Sequence, residues 1–174
     1  MKNKPGIIIT LLFLLISLSC RSWYFYEIQG GSFSILEGSN YKYQKSYDGV
    51  NIVLYAQAPG AGDCHIVMEI SNNSGDLFTY KLDQLYLIEN QKYFSIINIQ
   101  VNGKYVNSDY KCGLANGKSV WIIFRGEMAG MSERSKEIEL YLGKFYLSNN
   151  ENPINIGKVL LTNLRHYKSS KRDN

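Results

Sequence analysis

Three local arrangements carry residue types that could do chemistry. "GAGDCHIV" sets Cys64 beside His65, a thiol next to a base. Nucleophilic catalysis uses that pair when the two groups meet within about 3 Å in a defined orientation. "EIE" places Glu137 and Glu139 two residues apart, and glycoside hydrolysis needs two carboxyls roughly 5–10 Å apart across a bond. Ser-x-x-Lys occurs at Ser39 to Lys42 and at Ser108 to Lys111. Local geometry argues against each. Neighbours on a strand point to opposite faces, so Cys64 and His65 diverge. Alternate carboxylates on a strand are also how an ordinary solvated face reads. The Ser-x-x-Lys pattern arises easily by chance, and both copies lie in Tyr- and Lys-rich turns. Two histidines, His65 and His166, fall short of the three or four ligands of a zinc site. No H-E-x-x-H, C-x-x-C, G-x-S-x-G or G-x-x-x-x-G-K motif is present. The reading is therefore no catalytic residue, no metal ligand, no cofactor and no enzyme. "NNS" at Asn72 matches a glycosylation sequon and reads as a surface turn.

Binding chemistry is the other possibility. The chain holds 14 tyrosines, among them Tyr41, Tyr43, Tyr47, Tyr80, Tyr86, Tyr93, Tyr105 and Tyr110. Tyrosine offers contact area at low entropic cost together with a polar tip, which suits a glycan or protein partner. It is equally an ordinary half-buried strand residue. The formal charge is +4 over 174 residues. Without Lys2 and Lys4, the 19 basic residues become 17 against 15 acidic ones. Such near balance excludes a typical nucleic-acid binder, which needs a clear basic excess to neutralise phosphates. Only the tail "HYKSSKRDN" is locally basic.

The elements that must position these residues read as strands. "VNIVLYAQ" puts Val50, Ile52, Leu54 and Ala56 on one face, and "CHIVMEIS" does the same with Cys64, Ile66, Met68 and Ile70. "QLYLIE" alternates Leu85, Leu87 and Glu89 against Tyr86 and Ile88. "YFSIINIQV" runs into Asn102-Gly103, a hairpin signal, with "KYVNS" as the returning strand. "KSVWIIFRG" is apolar on both faces, as a central strand is. "EIELYLGKF" turns Ile138, Leu140 and Leu142 inward and Glu137, Glu139 and Tyr141 outward. "NIGKVLLTNL" closes the series. "GEMAGMSERSKE" reads as a loop, and no segment of helix length shows a 3.6-residue period. About seven to nine short strands between polar turns predict an all-β, antiparallel β-sandwich of immunoglobulin-like type. A closed barrel is the alternative.

The chain begins with Lys2 and Lys4 and an apolar run from Ile7 to Leu18 that stops at "SLSCRS". The run has the length of a signal-peptide core and is short of the roughly 20 residues that a span needs. With Ser17, Leu18 and Ser19 before Cys20, it resembles a bacterial lipoprotein signal of Bacteroidetes type. Ser17 stands where that family prefers Leu, and Leu18 where it prefers a small residue. The resemblance implies cleavage before Cys20 and a lipid on its sulfur. An ordinary secretory signal cut near Ser19 or Cys20 is the alternative. Arg21 and Ser22 lack the acidic cluster of some surface lipoproteins, which favours the periplasmic side of the outer membrane over the cell surface. Lipidation of Cys20 leaves Cys64 and Cys112 as an even pair, which in an exported domain reads as one disulfide. Two buried or free thiols are the alternative.

The expected organisation is a signal peptide over 1–19, a lipidated lead-in over 20–49, the sandwich over 50–165 and a basic tail over 166–174. In the lead-in, Trp23, Phe25 and Ile28 suit a first strand, and Trp23, Tyr24 and Tyr26 alternatively suit a bilayer interface. "MEISNNSGDLFTYKLDQLYLI" and "SVWIIFRG" followed by "EIELYLG" resemble small immunoglobulin-like domains of bacterial lipoproteins of unknown function. That likeness is one of strands and turns over residues 50 to 162, and it implies a fold and no catalytic residue. The expected protein is a membrane-anchored, non-enzymatic binding or accessory module of the bacterial envelope, with an envelope protein or a glycan as partner and no nucleic acid; the alternatives are a surface-exposed binder of carbohydrate or protein and an enzyme whose site is assembled only in the fold.

Overall fold

The alternation read in the sequence survives in space as one inward face per strand. The computed structural model describes residues 23–58, 63–127 and 137–167. They form β1 (Trp23–Gln29), β2 (Ser34–Ile35), β3 (Tyr43–Tyr47), β4 (Val50–Ala58), β5 (Asp63–Asn72), β6 (Phe78–Lys81), a 3-10 turn (Leu82–Gln84), β7 (Tyr86–Glu89), β8 (Lys92–Val101), β9 (Lys104–Tyr105), β10 (Lys111–Leu114), β11 (Lys118–Glu127), β12 (Glu137–Leu147) and β13 (Ile154–Tyr167). Val50, Ile52, Leu54 and Ala56 of β4 are fully buried, as are Ile66, Met68 and Ile70 of β5 and Ile138, Leu140 and Leu142 of β12. Glu89 shares the inward side of β7 with Leu87. The turn at Asn102-Gly103 has positive φ at both residues, +49° and +78°, the geometry that matches strand twist in a two-residue hairpin. Its returning strand, β9, is only Lys104–Tyr105.

The all-β, antiparallel expectation holds, but the immunoglobulin-like sandwich does not. The strands run β1-β13-β12-β7-β8-β11-β5-β4, and β4 pairs back onto β1 through Tyr24↔Ala58 and Phe25↔Gln57. Eight strands thus close into a barrel. Two separate sheets would leave four edges of unpaired backbone groups, and closure removes those of the ring. An eight-strand barrel is just wide enough for side chains to fill. Here the filling includes Tyr26, Leu54, Met68, Leu87, Phe124 and Leu140.

Two strands of the ring change neighbour halfway. β4 pairs β3 through residues 50–54 and β1 through residues 57–58. β12 pairs β7 through residues 139–141 and β6 through residues 145–147. β6 in turn pairs β10. The exchange on β12 occurs at an irregularity around Gly143, whose φ of +68° favours glycine. There Gln84 imitates a strand: its Oε1 accepts from Lys144 N at 2.9 Å, and its Nε2 donates to Lys144 O at 3.0 Å. The short β1–β4 seam is covered by Tyr41, whose ring stacks on Phe25 at 4.0 Å.

Asn72 ties the end of the barrel where β5 finishes. Its side chain is fully buried. Nδ2 donates to Asp76 O and Leu114 O, both at 2.8 Å, and Oδ1 accepts from Ser74 N at 3.1 Å and Ser74 Oγ at 2.6 Å. The sequon asparagine is therefore an interior bracket, and the reading of Asn72 as a surface residue is corrected: with its amide nitrogen committed to two carbonyls, it is no glycan acceptor.

Three further expectations change. Cys64 and Cys112 are both buried and no bridge joins them, so the expected disulfide is absent. Asn72 reaches Leu114, two residues from Cys112, whereas Cys64 lies eight residues back along β5, about 26 Å at strand rise. A bridge requires Cα atoms within about 7 Å. The boundary at residue 50 also moves: β1 belongs to the ring, and β2 and β3 belong to the same sheet. Phe25 and Tyr26 are both buried although adjacent, because a register shift between Phe25 and Glu27 breaks the alternation. Tyr26 therefore lies in the core and not at a bilayer interface. Residues 1–22, with Cys20, lie outside the described residues, as do most of "GEMAGMSERSKE" and the end of the basic tail.

Candidate functional site

The candidate site lies on the outer wall, where β7, β8, β12 and β13 run side by side. Register decides what meets there. One row across these strands reads Leu160, Glu139, Ile88, Tyr93, and the next reads Lys158, Tyr141, Tyr86, Ser95. All are outward, because the residues between them on each strand face the core. Together with Asn90, Gln91 and Glu137, the first row lines an open-sided groove of about 730 Å³. That size falls within the roughly 300–1,000 Å³ of small-molecule sites.

Aromatic stacking builds one flank. The rings of Tyr86 and Tyr141 stack at 4.3 Å and 13°, and Tyr93 leans on Tyr86 at 5.6 Å. Tyr93 is 74% exposed, the most exposed of the large apolar or aromatic residues described. A smaller groove of about 350 Å³ lies on the other side of Tyr86 and Tyr93, bordered by Asp83, Ser95 and Ser108. Tyr93, which borders both, thus forms a ridge between two depressions.

The polar groups of the groove are held in place. Lys158 Nζ donates to Glu139 Oε1 at 2.9 Å, and Tyr141 Oη donates to Glu139 Oε2 at 3.2 Å. The hydrogen bond from Lys158 holds the Glu139 carboxyl below the usual glutamate range, and the same bond pushes the Lys158 ammonium up. Desolvation, followed by its neighbours Tyr141 and Tyr93, raises the Tyr86 phenol. Glu139 is thus an ionised acceptor with its charge matched.

The turn at the head of the groove is unusual. Asn90 and Gln91 join β7 to β8 with φ of +50° and +64°. Two other tight turns with positive φ at both residues, Asp48-Gly49 and Asn102-Gly103, place glycine second. A side chain in that left-handed position costs about 1–2 kcal/mol. Gln91 takes it and lines the groove.

The remaining singled-out residues disperse. Cys64 faces the core, its Cα paired with Gly126, and His65 sits on the opposite face beside Arg125. No thiol–imidazole pair forms between neighbours so placed. Burial pushes the Cys112 thiol up. Ser39 Oγ accepts from Tyr41 N and Lys42 N, while Lys42 Nζ reaches Glu69 at 3.1 Å. That serine and lysine serve a turn and a strand contact. Ser108 borders the smaller groove, and Lys111 is exposed on β10. His166 pairs through its backbone with Tyr24. Tyr43 and Tyr80 are core residues, Tyr47 donates to Ile156 O, and Tyr105 and Tyr110 are exposed away from the groove.

Of the residues read as candidates, Glu137, Glu139, Tyr86 and Tyr93 come together. Ile88, Asn90, Gln91, Tyr141, Lys158 and Leu160 were missed as site residues, because cross-strand register brings them in. The one signal available was a turn lacking glycine after "YLIE". Among the described residues no three His, Cys, Asp or Glu side chains gather as metal ligands, and no helix is long and apolar enough to cross a membrane. Neither a protein-family model nor a curated protein matches the chain.

Proposed function

We propose that this chain is a lipid-anchored β-barrel of a bacterial envelope, held at the outer membrane through Cys20 and facing the periplasm. It acts as a non-enzymatic binding or accessory module. The observation that carries the reading is a tyrosine-flanked groove on the outer wall of a barrel whose described inward side chains are buried and mostly apolar. Contact with a partner then belongs to the wall, as in a binding module. The leading segment supports the anchor: a cationic tip, a short apolar run and a terminal cysteine. β1 starts at Trp23, so a lipid on Cys20 leaves almost no tether and the barrel rides close to the bilayer. More than one acyl chain is needed for stable anchoring, which fits a multiply acylated Cys20.

The test is mass spectrometry of the native protein together with fractionation of a Cys20→Ala variant. A mature chain beginning at an acylated Cys20, and release of the variant from membranes, are the expected results. An unmodified Cys20 or a retained Met1–Ser19 segment refutes the anchor. Protease shaving of intact cells should leave the barrel untouched, and digestion would move it to the cell surface.

A further inference from the structure

We infer that the groove between the Tyr93 ridge and Leu160 is a saccharide-binding site that takes an uncharged pyranose chain. The inference rests on the binding-module reading and adds the ligand class. A pyranose ring has an apolar C–H face and a rim of hydroxyls, and the groove offers both complements. Tyr93 presents an exposed ring that leans on Tyr86, itself stacked on Tyr141, so a ligand meets an aromatic surface already partly braced. Preorganised aromatic contact gives area with little entropic cost. Ile88 and Leu160 make an apolar floor, and Asn90, Gln91, Glu137 and Glu139 supply amide donors and carboxylate acceptors around it. Such a mixture of few polar groups on an apolar base is what orients small ligands.

Charge separates this ligand from a cationic one. An ammonium ligand over aromatic rings gains most beside an unmatched carboxylate. Glu139 already holds Lys158 at 2.9 Å, and Lys158 lies 5.7 Å from the Tyr141 ring centroid, so a cation of the protein's own occupies that role. What remains on Glu139 is acceptor capacity for hydroxyls. The open side of the groove suits a chain lying along it. Gln91 adds the independent sign. Its backbone favours glycine, yet its side chain borders the groove, and strain held at one place is a pointer to function.

The experiment titrates the detergent-solubilised full-length protein with β-1,4-glucose, β-1,4-N-acetylglucosamine and α-1,4-glucose tetrasaccharides by calorimetry, with tetramethylammonium as the cationic probe. At least one tetrasaccharide should bind with Kd below about 1 mM. Tyr93→Ala should weaken it by about tenfold or more, and Trp121→Ala, on another part of the wall, should leave it unchanged. Gln91→Gly should weaken binding while raising the melting temperature, a pair of shifts that a merely structural residue does not give. Binding only of tetramethylammonium, no tetrasaccharide binding, or binding unchanged in Tyr93→Ala overturns the inference. A chain that is acylated at Cys20 yet blind to saccharides refutes the ligand class alone and leaves the anchored module standing.

Discussion

Replacing Asn72 by alanine should destabilise the barrel at the end where β5, β10 and β11 meet. The substitution deletes two donors and one acceptor in a site with no solvent access. Leu114 O loses a buried partner, Asp76 O a partly buried one, and Ser74 N and Oγ lose their shared acceptor. A buried group left unsatisfied costs about 1–3 kcal/mol, and partly exposed ones recover much of theirs from water. The loss should come to about 3 kcal/mol, dominated by Leu114 O and Asp76 O. For a domain of this size that is a fall of about 6–12 °C in melting temperature. Circular dichroism melts and urea titrations read both. Asn73→Ala is the control: Asn73 is exposed and its backbone N–H, which donates to Gly49 O at 2.9 Å, is kept, so it should change stability by less than about 0.5 kcal/mol. Asn72→Asp adds a pH signature. A carboxyl facing two carbonyls is favoured in its protonated form, so its folded pKa lies above the unfolded one. Stability is then greatest below the unfolded pKa and is lost as pH rises through the folded one. Equal stability of Asn72→Ala and Asn73→Ala, or an Asn72→Asp variant that gains stability from pH 4 to 8, would refute the reasoning.

Other outcomes follow from single contacts. Gly143→Ala puts a Cβ at 2.6 Å from Gln84 Cβ at a φ of +68°, and should cost about 2–3 kcal/mol in urea unfolding. The Glu139 carboxyl should titrate by NMR below the usual glutamate range, and Lys158→Met should bring it back up. Because the folded value is lowered, the pair's contribution is present above the ordinary glutamate pKa and fades as pH falls through the folded one; exposure keeps it small. Cys64 and Cys112 should resist a thiol reagent in the native protein and react together once it is denatured, with a melting temperature indifferent to reductant.

How far the fold was legible depends on how local its causes are. Inward faces of β4, β5 and β12 could be read because alternation is a property of one strand. Closure could not. It rests on β1 meeting β13 and β4, segments from opposite ends of the chain, and a register shift at Phe25 hides the alternation that marks β1 as a full member of the ring. Asn72 misled for a related reason: "NNSGD" is a turn, as read, but the first asparagine points back into the barrel. The cysteines paired well in arithmetic and sit far apart in space. For the groove, Glu137 and Glu139 were visible as a same-face pair and Tyr86 and Tyr93 as two tyrosines among many. That they share a wall with Lys158 and Leu160 is a fact of three strand registers.

The two flanks of β1 are unequal, and that has a mechanical meaning. Six residue pairs join it to β13, and two join it to β4. Were the chain anchored at Cys20 and gripped through its outer wall, as proposed above, load would run along β1. The β13 side then resists in shear, with its bonds strained together, while the β4 side has too few pairs to hold. Under tension the barrel should open like a coat along that one seam and stay hinged on β13, with Tyr41 over Phe25 as a button.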